Sequence, residues 1–244
     1  MKSEYKSLPW LFLLILGLYW IGLSIFLLVL GYRDSFLLIN GWHHYILDWP
    51  MFLGTHLGDA LILTSLIALL FGKKQPAMIL NMIIAVVILG LFGQLLKNTL
   101  FDGWDRPFRV FENIADVHSV AGYRMIHNAF PSGHSIVVSA VISTFVLTAR
   151  PGLLLQGVLA MAVVMISYTR VYVGVHFPGD VLAGTLIGFI GSWLLSLSVY
   201  PKVVNWVNGL KPGTIRRLKT NLMIIAAVGL ILGVVFVVLS LNRV

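Results

Sequence analysis

Three short clusters of polar residues interrupt an otherwise apolar chain, and their residue types are those that phosphate chemistry requires. The clusters are Lys97 with Arg106-Pro107, the run 130–135 that contains Ser132-Gly133-His134, and Arg170 with His176 and Asp180. A phosphoryl group in transfer spreads negative charge over its equatorial oxygens, so it needs cations fixed around it. Lys97, Arg106 and Arg170 can supply these cations, and arginine adds bidentate contacts that lysine cannot make.

The second cluster has the composition of a loop that ends at the start of a helix. A proline closes the loop, Ser132 can cap the helix, and Gly133 allows a phosphate to approach the backbone closely. The N–H groups of the first helical turn then become further donors to an anion. We therefore expect Ser132 and Gly133 to bind phosphate together with the three cations.

Two histidines and one aspartate can provide the reactive groups. His134 and His176 can divide the work of a nucleophile and of an acid that protonates the leaving oxygen. Asp180 follows His176 closely in the sequence. Its carboxylate can hold the imidazole of His176 in the required tautomer, as the carboxylate of a catalytic triad does.

The elements that position these clusters are predicted to lie in a membrane. The 244 residues are 59% hydrophobic and 11% charged, whereas soluble domains are roughly 25% charged. Apolar runs of about 20 residues predict an all-α, polytopic transmembrane helical bundle with six core spans and a seventh C-terminal span. The predicted spans are 10–31, 51–71, 78–96, 133–149, 152–172, 180–200 and 221–241. The chain has no cysteine, which excludes disulfides and thiolate metal sites.

The basic residues give the predicted bundle an orientation. With the N-terminus inside, most of the seventeen Lys and Arg residues lie in loops on the inner side, as the positive-inside rule requires. All three polar clusters then lie at the outer ends of helices, and the polar stretch 97–131 becomes an outer loop. The net charge of +8 fits loops that face an anionic membrane surface, so we expect no nucleic-acid partner.

The three clusters, in this order, resemble the motifs of the type 2 phosphatidic acid phosphatase (PAP2) superfamily. This superfamily includes lipid phosphatases, undecaprenyl pyrophosphate phosphatases, lipid A phosphatases, glucose-6-phosphatase and the vanadium haloperoxidases. The resemblance covers about residues 50–200. The second and third motifs match well, whereas the spacing between Lys97 and Arg106 is longer than is usual in the family.

The resemblance implies a role for each matching residue. His176 matches the nucleophile that accepts the phosphoryl group, and Asp180 matches its orienting partner. His134 matches the acid that protonates the leaving group and later helps water to attack the phosphohistidine. The residues that match the phosphate-binding set are Lys97, Arg106, Ser132, Gly133 and Arg170. Family members of this type need no metal, and we expect no cofactor.

Two further residues are candidate accessories to the site. Asp59 lies with His56 inside an apolar span, where ionisable groups are costly. The two side chains could pair with each other, or Asp59 could help to position the substrate or the arginines. Arg109 could contact phosphate if the lengthened first motif shifts the register.

We expect a membrane phosphatase that hydrolyses a lipid phosphate or pyrophosphate, such as phosphatidylglycerol phosphate, phosphatidic acid, undecaprenyl pyrophosphate or a lipid A phosphate.

The phosphatase domain is predicted over residues 1–200, and residues 201–244 form a basic cytoplasmic connector and an additional transmembrane helix. The expected location is the bacterial inner membrane, with the site on the periplasmic side. One alternative is a lipid phosphotransferase with the same nucleophile, and another is a non-catalytic transporter or binding protein for lipid or phosphate.

Overall fold

The computed structural model describes residues 8–111, 117–120, 122 and 124–241, and the regular structure of these residues is helical. The helices are α1 (Trp10–Gly41), α2 (Tyr45–Thr55), α3 (Ala60–Phe71), α4 (Pro76–Asn98), α5 (Pro107–Val110), α6 (Gly133–Ala149), α7 (Leu153–Tyr172), α8 (Pro178–Ser198), α9 (Tyr200–Asn208) and α10 (Pro212–Leu241). A 3₁₀ turn, His56–Gly58, joins α2 to α3. The predicted all-α architecture is confirmed.

Five of the helices, α1, α4, α7, α8 and α10, are long and apolar enough to cross a membrane. Helices α2 and α3 together would form a sixth span, with a bend of 73° between them. Helix α6 is apolar but has only 17 residues, which is roughly 26 Å of helix. The chain is therefore an integral membrane protein, and the count of seven spans stays a prediction.

Helix α1 extends well beyond the predicted span 10–31. Gly31 interrupts it with φ 78° and ψ 178°, after which the helix resumes and continues to Gly41. A positive φ of this kind is accessible to glycine at little steric cost. The interruption redirects the second half of α1, from Tyr32 onward, over the end of the bundle that holds the polar clusters.

The second predicted span, 51–71, is broken in the structure. Asp59 has an extended backbone conformation, and its side chain caps α3 by accepting a hydrogen bond from the N–H of Leu61 at 2.9 Å. A side chain that caps a new helix favours a break there over a continuous helix. Helix α2 exposes large apolar side chains, including Tyr45, Ile46 and Trp49, which suits a helix at the membrane interface.

The centre of the bundle is α6, which packs closely against α8. A side chain at Gly184 or Gly188 would meet the backbone oxygen of Ser132 or Ile136 at about 2.5–2.6 Å, so the two backbones approach each other as glycine permits. Two hydrogen bonds also cross this interface. They run from Ser139 Oγ to Thr185 O at 2.7 Å and from Ser192 Oγ to Ala140 O at 3.0 Å. The close packing brings the N-termini of α6 and α8 side by side.

The segment that follows α8 is more ordered than the connector that the sequence predicts. Helix α9 occupies part of it and contacts α4 and α8. Helix α10 then packs along α3, where Gly229 faces Ser65 and Gly233 faces Ile62. The domain boundary at residue 200 stays a prediction.

We expect Gly188→Ala to destabilise the protein, because the added Cβ would meet the Ile136 carbonyl oxygen at 2.5 Å. Overpacking of this kind costs about 1–3 kcal/mol. Thermal unfolding in detergent measures the effect, with Gly90→Ala as the matched control, since a Cβ at that helical glycine meets nothing within 4 Å. Equal unfolding temperatures for the two variants would contradict the proposed tight α6–α8 contact.

Candidate active site

The fold brings the three polar clusters together at one end of the bundle. Lys97 Nζ and Arg106 Nη2 both donate to the carbonyl oxygen of Asn128, at 2.9 and 3.3 Å. Arg106 Nη1 lies 3.3 Å from His176 Nε2, which joins the first cluster to the third. The N–H of Ser132 donates to the backbone oxygen of Asp180 at 3.0 Å and joins the second cluster to the third.

Hydrogen bonds determine the tautomer of His176. Its Nδ1 lies 3.0 Å from Asp180 Oδ2, which also accepts the N–H of Phe177 at 2.9 Å. A carboxylate can only accept, so Nδ1 carries the proton. His176 Nε2 then carries the lone pair of the ring, which accepts from Arg106 Nη1 in this structure. Nε2 is thus the ring nitrogen that can act as a nucleophile.

The environment of His176 keeps the ring uncharged. This residue lies in the turn between α7 and α8 and is 1% exposed. Burial, reinforced by the positive charges of Arg106, Arg170 and Lys97, holds the pKa of His176 well below its usual value of 6.5. A lowered pKa means that the ring remains neutral at neutral pH and takes up a proton only in acid, so the lone pair is available.

The three predicted cations are all buried, at 6% exposure for Lys97, 5% for Arg106 and 1% for Arg170. Arg106 is held by the carbonyl oxygens of His127 and Val175 at 2.7 and 3.0 Å. Arg170 Nη1 donates to Thr55 Oγ1 at 2.7 Å. Burying positive charge is costly unless anions compensate for it. Three buried cations around Asp180 therefore favour an anionic ligand.

The N-terminus of α6 forms the side of the site next to these cations. Ser132 is the N-cap, with its Oγ accepting from the N–H of Ser135 at 3.5 Å and from Ser135 Oγ at 3.0 Å. Gly133 and His134 form the first turn, where backbone N–H groups lack partners within the helix. His134 lies against the turn that joins α2 to α3, since a Cβ at Gly58 would be 3.1 Å from its Cβ.

The two accessory candidates, Arg109 and Asp59, make their hydrogen bonds and ion pairs with residues outside this cluster. Arg109 is 51% exposed and pairs with Asp105 at 3.0 Å and with the ring of His127 at 2.9 Å. Asp59 caps α3. Its predicted neighbour His56 stands on the turn beside His134, and His56 Nε2 is buried without a hydrogen-bond partner. The accessory roles of Asp59 and Arg109 stay predictions.

Sequence reasoning missed Tyr32, whose hydroxyl donates a hydrogen bond to Oδ1 of Asp180. Its ring packs on Phe177 at 4.7 Å between centroids and meets Trp104 edge-on at 6.1 Å. The signal that could have found it is the polar Tyr32 directly after the glycine that ends a long apolar run. Such a tyrosine indicates a polar helix end, but it does not indicate that the partner is Asp180, which lies 148 residues away in the sequence.

Asn40, near the end of α1, was missed as well. Its side-chain Nδ2 donates to the carbonyl oxygens of Val171 and Tyr172, at 2.9 and 3.0 Å. Its Oδ1 accepts from the N–H of His118 at 2.8 Å. These bonds satisfy carbonyls at the C-terminus of α7, where helices lack internal donors, and so they fix the helix end that carries Arg170.

Known proteins share this arrangement of sequence and fold. The sequence model of the PAP2 superfamily matches residues 76–203. An undecaprenyl-diphosphatase of Sulfolobus acidocaldarius is 31% identical over 74% of this chain and 89% of its own length. The crystal structure of Aquifex aeolicus LpxE is 28% identical, with a TM-score of 0.58, over 67% of this chain and 93% of that one.

A transmembrane PAP2-type phosphatidylglycerolphosphate phosphatase from Bacillus subtilis shares the fold. Its crystal structure superposes with a TM-score of 0.50 at 20% identity, over 81% of this chain and 98% of that one. The sequence match covers more than half of the chain and contains all three polar clusters. The chain belongs to the PAP2 superfamily.

Proposed function

We propose that this membrane lipid phosphatase transfers a phosphoryl group from its lipid substrate to Nε2 of His176 and then to water. The observation that carries the proposal is the geometry of His176, with Nδ1 held by Asp180 at 3.0 Å and Nε2 directed at Arg106 at 3.3 Å. An imidazole fixed in this tautomer presents its lone pair to the position where the cations would hold a phosphate.

In the first step, Nε2 of His176 attacks phosphorus, and the bond from phosphorus to the lipid oxygen breaks. The developing charge on the phosphoryl oxygens is stabilised by Lys97, Arg106, Arg170 and the first turn of α6. His134 donates a proton to the departing lipid oxygen. The products of this step are the dephosphorylated lipid group, a phosphohistidine and a deprotonated His134.

In the second step, water attacks the phosphohistidine. His134 accepts a proton from the water, which restores its acid form, and the bond between nitrogen and phosphorus breaks. Inorganic phosphate leaves, and the lone pair of His176 Nε2 is free again. The same two histidines therefore serve both halves of the cycle.

The substrate class is a lipid that carries a phosphate or a diphosphate. A relative named undecaprenyl-diphosphatase matches most of the chain, so a polyprenyl diphosphate is the first substrate to test. Phosphatidylglycerol phosphate, phosphatidic acid and a lipid A phosphate complete the panel. In a phosphotransferase, an acceptor lipid would replace water in the second step, and product analysis with and without such a lipid separates the two activities.

We further propose that the site faces the periplasm from the bacterial inner membrane. Supporting this orientation, eight described Lys and Arg residues lie at the opposite end, most of them in the α3–α4 turn and in the segment from α9 into α10. Six lie at the site end, and three of these are the buried cations of the site. The exposed apolar residues of α2 lie at the end of the bundle that carries the site, where they suit contact with lipid.

Replacing His176 with alanine should abolish phosphate release, by more than about 1,000-fold, because no other group in the proposed mechanism can accept the phosphoryl group. The measurement is phosphate release from the four lipids by purified protein. His127→Ala is the matched control, because its side chain is 53% exposed. Ordinary turnover by the His176 variant, or no acid-labile phosphate on the wild-type protein during turnover, would contradict the mechanism.

We expect Tyr32→Phe to lower kcat roughly tenfold to hundredfold and to leave KM nearly unchanged. The lost hydrogen bond is to a charged group, which contributes about 1.5–3 kcal/mol, and Tyr32 contacts Asp180 rather than the substrate site. Steady-state kinetics in detergent provides both constants. Tyr45→Phe, at a tyrosine that is 76% exposed, is the control. A change confined to KM would be inconsistent with a positioning role.

The orientation can be tested by cysteine labelling, since the natural chain has no cysteine. In cells with a permeable outer membrane, a membrane-impermeant maleimide should label Asp102→Cys, because the exposed Asp102 lies on the side of the site. Thr214→Cys, at the exposed start of α10, should react only after the inner membrane is opened. The reverse pattern would overturn the proposed sidedness.

A further inference from the structure

The end of the bundle opposite the active site carries cations that have no acidic neighbours in sequence. Residues 60–101 and 181–244 contain no Asp or Glu, whereas eight Lys and Arg residues lie in the described turns and helix ends of that face. They are Lys73, Lys74, Arg150, Lys202, Lys211, Arg216, Arg217 and Lys219. These two segments therefore supply no side-chain carboxylate to balance the charge.

Three of these cations share one cavity. Lys73 in the α3–α4 turn, and Arg216 and Lys219 in the first turns of α10, line a cavity of about 430 Å³ together with Ile215 and Thr220. Like charges that converge on one space repel each other, and a bound anion removes this repulsion. A cavity of this size accommodates a phosphate-containing headgroup.

A second, apolar cavity lies next to the basic one, along the seam that α10 forms with α3 and α4. It measures about 310 Å³ and lies between α3, α4 and α10, where Ala68, Val86, Leu222 and Ile225 are among its lining residues. Thr220 lines the basic cavity and Leu222 lines the apolar one, and two residues of helix span only about 3 Å. A basic cavity followed by an apolar cavity matches one phospholipid, which has a charged headgroup followed by an acyl chain.

We propose that this seam binds one anionic phospholipid of the leaflet opposite the active site. Its phosphate contacts Lys73, Arg216 and Lys219, and one acyl chain lies between α3, α4 and α10. Basic pockets between transmembrane helices bind anionic headgroups in this way. The lipid fills the seam between α10 and the remainder of the bundle, so it stabilises the attachment of a helix that lies outside the segment matched by the family model.

This site is separate from the substrate site. Helix α4 begins at Pro76, next to the turn that holds Lys73, and ends beside Lys97. Its 23 residues place the two sites roughly 34 Å apart. A lipid at Lys73 therefore cannot be dephosphorylated there, and its effect on the protein is expected in stability rather than in turnover.

The test compares thermal unfolding of the purified protein in detergent with added dioleoyl phosphatidylglycerol and with added dioleoyl phosphatidylcholine. We expect the anionic lipid to raise the unfolding temperature by several degrees and the zwitterionic lipid to have little effect. The triple variant Lys73→Gln, Arg216→Gln, Lys219→Gln should lose this difference. The control variant Lys74→Gln, Lys202→Gln, Arg217→Gln, which removes the same charge from the same face, should keep it.

Two further arms separate the headgroup from other sources of phosphate and test the acyl-chain cavity. Inorganic phosphate at the same concentration should produce no shift that the triple variant loses, and dihexanoyl phosphatidylglycerol should need at least a tenfold higher concentration. Native mass spectrometry should show one retained anionic lipid on wild-type protein and on the control, and none on the triple variant.

Equal responses of the two triple variants would mean a diffuse surface effect and would overturn the proposal. A full shift with inorganic phosphate that the triple variant loses would overturn it too, because the acyl-chain cavity would then have no part in binding. Phosphate release by all variants checks that the catalytic end is intact.

Discussion

The carboxyl group of Asp180 is the point on which the rest of the site depends. Its side chain accepts hydrogen bonds from the hydroxyl of Tyr32, from Nδ1 of His176 and from the N–H of Phe177. Its backbone oxygen accepts the N–H of Ser132. One residue thus connects α1, the α7–α8 turn, α8 and the cap of α6, and it is fully buried. A buried polar network with all members satisfied is rigid and specifies one arrangement.

Close packing beneath Asp180 makes this convergence possible. The glycines of α8 allow its backbone to approach that of α6, so the two helix starts lie side by side. The bent second half of α1 then reaches over them with Tyr32 and Asn40. His134 and Asp180 therefore lie in the first turns of helices and His176 in the short turn before α8, whereas Arg106 comes from the long polar loop. Short connections of this kind suit a site where misplacement by about 1 Å has large effects on rate.

The three reactive clusters could be predicted because polar residues are conspicuous in an apolar chain. Phosphate chemistry explained Lys97, Arg106 and Arg170 together, and helix capping explained Ser132, which the structure places at the N-cap of α6. Tyr32 and Asn40 could not be predicted, because Asp180, which Tyr32 contacts, and Val171, which Asn40 contacts, lie more than a hundred residues away. The break at Asp59 was missed since hydropathy treats 51–71 as one run, whereas local capping by Asp59 decides the backbone there.

The short length of α6 has a consequence for the energy of the reaction in a bilayer. At roughly 26 Å, this helix is shorter than a hydrocarbon core of about 30 Å, and a site on its first turn suits a substrate whose phosphate stays at the depth of lipid headgroups. Pulling a lipid into water would require about 0.8 kcal/mol for each exposed methylene. A lipid whose phosphate reaches the site at headgroup depth needs no such extraction. Its hydrocarbon stays in the membrane, and only the small, hydrated inorganic phosphate leaves.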